Sequence, residues 1–110
     1  MSYPYTDLPV YQERVSHFVD RTGLRVTAEV RLLDLISEVG EVAKESLKAT
    51  NYGKEPFGVT EEWDGEIADV FFALICLANA TNVNLDVALT TALEKYQMRL
   101  NAKGNASSGR

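Results

Sequence analysis

From Leu32 onward the apolar side chains Leu32, Ile36, Val39, Ala43 and Leu47 recur at helical spacing, and Trp63, Ile67, Val70, Leu74 and Leu77 do the same further on. Each run carries two carboxylates three residues apart: Glu38 and Glu41 in Ser37-Glu-Val-Gly-Glu41, then Glu66 and Asp69 in Glu66-Ile-Ala-Asp69. Residues three apart share one face of a helix, so each helix presents its two acids together. A chain patterned in this way is constrained to pack helix on helix, and its apolar stripes draw the two acidic pairs toward each other.

The remaining segments extend the same pattern. Asp7-Leu-Pro9 reads as a helix start, Val15, Phe18 and Val19 follow at helical spacing, and Gly23 is a stop. Thr27 is placed to cap the second helix, and Thr60 the third, with Glu61 and Glu62 at its positive end. Between them, residues 51–58 hold two glycines and a proline and form a loop. Past Asp69 the third helix is apolar on every side, which predicts burial all round. Asn79 to Asn84 interrupts the pattern, and Asn84 or Asp86 starts a fourth helix whose core stripe is Leu85, Leu89, Ala92, Tyr96 and Leu100. No strand is expected. The prediction is an all-α fold, an antiparallel bundle of about four helices in one domain over residues 1–100, completed by oligomerisation. Residues 101–110 lack apolar anchors and read as a disordered tail.

The chain has 110 residues, 45% of them hydrophobic, enough for one small core that hides roughly two-thirds of the unfolded surface. Sixteen acidic against eleven basic residues leave a net charge of -5, which disfavours nucleic acid and anionic membrane as partners. Cys76, the single cysteine, sits in an apolar run and reads as a buried reduced thiol. With no signal-peptide pattern in Met1 to Tyr5 and an apolar run too short to span a bilayer, the expectation is a soluble cytoplasmic protein.

One Glu-x-x-Glu pair is ordinarily a solvated helix face. Two such acidic pairs beside apolar surface are different, because unpaired charges there are costly and Lys44 and Lys48 are too few and too poorly placed to neutralise four acids. All-oxygen ligands favour Mg2+ or Mn2+ over zinc, and Mg2+ typically completes its shell with water and substrate phosphate. Ser37-Glu-Val-Gly-Glu41 followed by Glu66-Ile-Ala-Asp69 resembles the double acidic motif of the MazG-like members of the all-α nucleoside triphosphate pyrophosphohydrolases, over roughly residues 8–100. Residues 42–65 fit that family's variable spacer. The resemblance implies a helical dimer or tetramer that cleaves (deoxy)nucleoside triphosphates to monophosphate and pyrophosphate with Mg2+, held by Glu38, Glu41, Glu66 and Asp69. The family commonly has two adjacent glutamates in the first motif, and Ser37 replaces the first of them. A serine is no strong base, so Glu38 or Glu41 becomes the candidate proton acceptor, with Asp34 one turn away.

Lys95 and Arg99 sit where the resemblance places basic residues on the last helix, one turn apart and able to reach one polyphosphate, although surface ion pairing explains them equally well. Lys54, in the loop with Tyr52 and Phe57, is a further substrate-binding candidate, set against a loop that simply fastens to the bundle. Trp63 reads as core and His17 as structural or exposed. Gly40 inside a helix suggests a close helix approach or a ligand contact. Two rival functions stand beside the hydrolase. A redox carboxylate-metal bundle lacks its Glu-x-x-His motif, because Arg14 precedes His17 by three. A non-catalytic helical dimer module would use the acidic face to bind a basic partner.

Overall fold

The structure, a computed structural model, describes residues 8–103, and they form α1 (Leu8–Thr22), α2 (Ala28–Ala49), α3 (Trp63–Ala80) and α4 (Leu85–Lys103). Among the described residues there is no strand, as the periodicity predicted. Local chemistry sets most helix ends. Gly23 adopts a left-handed φ of 71° after α1, and the Leu24 amide donates back to the Val19 carbonyl at 3.0 Å. Thr27 caps α2 by accepting from the Val30 amide at 3.4 Å, and Asn84 caps α4 by accepting from the Val87 amide at 3.1 Å. Asp7, expected to start the first helix, lies outside the described residues.

The start of α3 departs from expectation. Glu62 occupies the cap position without a side-chain hydrogen bond, because the Thr60 hydroxyl donates instead to the carboxylate of Glu45 on α2. The α2–α3 loop is closed further by Phe57 standing edge-on to Trp63, centroids 5.1 Å apart, and by the Gly58 amide donating to the Ala49 carbonyl at 2.9 Å.

The principal pairing is α2 with α3. α1 also packs on α3, with Phe18 edge-on to Phe72 at 6.1 Å. α4 turns 102° from the axis of α3 and rests mainly on α1. Gln12 fixes that corner: its amide nitrogen donates to Asn79 Oδ1 at 2.9 Å and to the Val83 carbonyl at 2.8 Å, while its oxygen accepts from the Leu85 amide at 2.8 Å. No single helix is long and apolar enough to cross a membrane.

Among the described residues the buried hydrophobic core is small: Val19, Ala49, Ala73, Ile75, Cys76 and Ala78. The stripe expected to be the core side of α2 points elsewhere. Leu32, Ile36, Val39 and Leu47 remain 47–59% exposed, because α2 turns its charged face to α3. Nor is α3 buried all round past Asp69, since Phe71 and Leu74 stay 39–42% exposed. Periodicity identifies an apolar face but not the surface that covers it. At the far end α4 continues through Lys103, three residues into the segment expected to be a tail. A Gln97 to Asn101 side-chain hydrogen bond of 3.0 Å spans its last turns, and Lys103 suits the negative helix end. The rest of that segment lies outside the described residues.

Candidate functional site

Along α2 the residues Arg31, Asp34, Glu38, Glu41, Glu45 and Lys48 alternate by three and four and so form one continuous charged stripe. Asp34, Glu38 and Glu41 are half-buried, as is Glu66 on α3, whereas Asp69 is exposed. Glu38 sits at the centre of the group. Burial raises its carboxyl above the ordinary carboxylate value, and the charges of Asp69, Asp34, Glu66 and Glu41 raise it further, in that order. Glu41 on its own helix and Glu66 and Asp69 on α3, the other acids singled out from the sequence, thus all bear on Glu38, and Asp34 joins them.

Cationic relief inside this group is slight. Lys44 Nζ approaches Glu41 Oε1 at 3.7 Å, but 70% of the Lys44 side chain and 47% of the Glu41 side chain are exposed, so the pair contributes about 1 kcal/mol at most. Among the described residues no three acidic, histidine or cysteine side chains converge closely enough to enclose an ion. The donor chemistry nevertheless fits a hard divalent cation: carboxylate oxygens only, from two facing helices, with mutual repulsion that a double positive charge would relieve.

A second cluster on the same stripe was not legible as such in the sequence. Glu45 is only 3% exposed, accepts from the Thr60 hydroxyl, and pairs with Lys48 Nζ at 3.3 Å. The Thr60 hydrogen bond, followed by Lys48, holds the Glu45 carboxyl below its usual range. The helical spacing of Glu41, Glu45 and Lys48 was the available signal; that Thr60 reaches back from the loop was not. At the other end of the stripe, Arg31 is 8% exposed, and its guanidinium donates to the Leu24 carbonyl. The neighbouring Cys76 thiol is buried, and that burial pushes its pKa up, so it stays a neutral thiol.

The remaining candidates are distributed differently. Ser37 is exposed on α2. Lys54 is exposed in the α2–α3 loop beside Tyr52, itself 67% exposed, while Phe57 packs on Trp63 as a fastener. Lys95 and Arg99 both lie over the ring of Tyr96, at 5.4 and 5.8 Å from its centroid. The bend between α3 and α4, with a rise of about 1.5 Å per residue, puts Lys95 on the order of 20 Å from Asp69 in the same chain. His17 is exposed and lines a groove between α1 and α3 with Tyr11, Arg14, Phe71 and Phe72. A Cβ built on Gly40 would meet nothing within 4 Å, so no close approach inside the chain requires glycine there.

Known proteins resemble this chain in sequence and in fold. The chain is 37% identical over 68 residues to the uncharacterized protein YpjD of Bacillus subtilis (strain 168), an alignment covering 59% of this chain and 60% of the length of that relative. A crystal structure of the Bacillus-conserved MazG protein, a nucleotide pyrophosphohydrolase, superposes with a TM-score of 0.69 at 23% identity, covering 86% of this chain and 93% of that one. Residues 27–102, from the cap of α2 to the last turn of α4, match the MazG nucleotide pyrophosphohydrolase domain, and they include both acidic pairs. The chain therefore belongs to the MazG nucleotide pyrophosphohydrolase domain family.

Proposed function

We propose that the protein hydrolyses (deoxy)nucleoside triphosphates to the monophosphate and pyrophosphate in a Mg2+-dependent reaction. The observation that carries this reading is Glu38, whose carboxyl feels Asp69, Glu66 and Glu41 together across two helices, within a domain of this family. Glu38, Glu41, Glu66 and Asp69 would hold the metal. Bound there, Mg2+ or Mn2+ supplies charge neutralisation at the attacked phosphorus and acidifies a water. Glu38 or Glu41 would take the water's proton, since Ser37 has no basic group.

Lys54 stands on the loop next to the exposed ring of Tyr52, a pairing suited to phosphate and base. Lys95 and Arg99 lie on α4, and the 102° bend and helical rise put Lys95 on the order of 20 Å from the Asp69 of its own chain. Their place in binding polyphosphate is therefore best met at the site of a second copy, and self-association as a dimer or tetramer belongs to this reading. The exposed apolar faces of α2 and α3 support it. A reduced thiol and a triphosphate substrate both suit the cytoplasm. An acidic module that docks a basic protein would need no Mg2+.

Two measurements test the proposal. Incubation of the full chain with a panel of nucleoside triphosphates and Mg2+, followed by phosphorus NMR, should show monophosphate and pyrophosphate as first products. Diphosphate and orthophosphate as first products, or no Mg2+ uptake by calorimetry, would refute it.

A further inference from the structure

The charged stripe on α2 ends in a cation at each end, and the two ends differ. Arg31 is buried and bonded to the backbone of Leu24. Lys48 keeps 56% of its side chain exposed, with its Nζ tethered 3.3 Å from a carboxylate that is itself 3% exposed. That carboxylate, Glu45, is held on its other oxygen by the Thr60 hydroxyl. A buried, doubly engaged acid is a fixed anchor, so the ammonium it holds has a defined place instead of the wide sweep of a surface lysine. The charges of Glu62 and Glu66 also act on Lys48, which locates it beside α3 at the loop end of the acidic group. An ammonium has three N–H donors, and its attachment to one carboxylate leaves capacity for a second acceptor.

We propose that Lys48 is a phosphate-binding residue of this site, contacting the outer phosphates of a triphosphate, with Glu45 and Thr60 as its positioning residues. This rests on the hydrolase reading above. Lys48 lies two turns beyond Glu41, about 10 Å along the helix axis, and helical side chains lean toward the N-terminus, so its ammonium points back toward the acids. A polyphosphate held at the acidic group and extending toward the loop would meet Lys48 at its far end. Lysine acts there as a point charge that accepts either orientation of a phosphate.

The test compares wild type, Lys48→Met, Lys48→Arg and Thr60→Val in the full chain with Mg2+. It measures steady-state kinetics and calorimetric binding of a non-hydrolysable triphosphate analogue and of the matching monophosphate. Lys48→Met should raise KM and weaken analogue binding about tenfold or more while monophosphate affinity stays unchanged. Lys48→Arg should recover most of the loss, and Thr60→Val should raise KM by a smaller factor. A merely structural role would weaken both ligands equally, and that result overturns the proposal. So does Lys48→Met with undiminished affinity for the analogue in a chain that turns over normally. A wild-type chain that neither binds nor hydrolyses any triphosphate removes the hydrolase reading beneath it as well.

Discussion

At the scale of single residues, Glu38 is the carboxylate on which the charges of the other acids bear. The spacing made it a candidate ligand, and in the fold Asp69, Glu66 and Glu41 all raise its carboxyl. Asp69→Asn and Glu41→Gln should each abolish turnover while circular dichroism stays helical; near-normal activity in both would remove the assignment. The raised carboxyl of Glu38 also has a sign for stability. The folded chain holds a proton that the unfolded chain releases near the ordinary value of 4.5, so the contribution is complete below that pH and is lost as pH rises through the raised value. Thermal melts of the metal-free protein should show this decline from about pH 4.5 upward, and Glu38→Gln should flatten it. Parallel curves for the two proteins would contradict it. Ser37→Ala should reduce the rate less than about tenfold, roughly 1.4 kcal/mol, whereas Glu38→Gln should be far more damaging. A Ser37→Ala variant as inactive as Glu38→Gln would give the serine a direct chemical part.

At the scale of elements, period and capping chemistry made four helices legible, because Thr27, Asn84 and Gly23 act locally on their own helix ends. Thr60 was misread for the opposite reason. Its hydroxyl is drawn to Glu45, fifteen positions earlier, and no local rule reports a competitor that distant. The direction taken by α4 was equally hidden, since it depends on Gln12 meeting Asn79, Val83 and Leu85 from more than sixty residues away. Gln12→Ala leaves several of those polar groups without their partner and should destabilise the corner by about 2 kcal/mol. Hydrogen exchange should then accelerate in the first turns of α4 well before it does in α2. Unchanged protection there would show that the packing of α4 on α1 alone sets the corner.

At the scale of the whole molecule, the all-α class and the family could be read from pattern, but the location of the core could not. Leu32, Ile36 and Val39 have the spacing of core residues, yet within one chain they face outward, while the charged stripe of the same helix faces α3. Sedimentation should therefore show a dimer or larger at micromolar concentration, and Leu33→Glu, at a position 66% exposed in the single chain, should shift it toward monomer. A compact wild-type monomer would refute this. The turned α2 also changes how sequence variation in this chain is to be read. The usual expectation is that accessible positions drift freely and hidden ones resist change. Here the accessible leucines of α2 and Ile36 should tolerate polar replacement least, and their intolerance should deepen on dilution. A library of variants selected at low and at high expression would separate those positions from ordinary surface sites, whose tolerance is independent of how many copies of the chain are present.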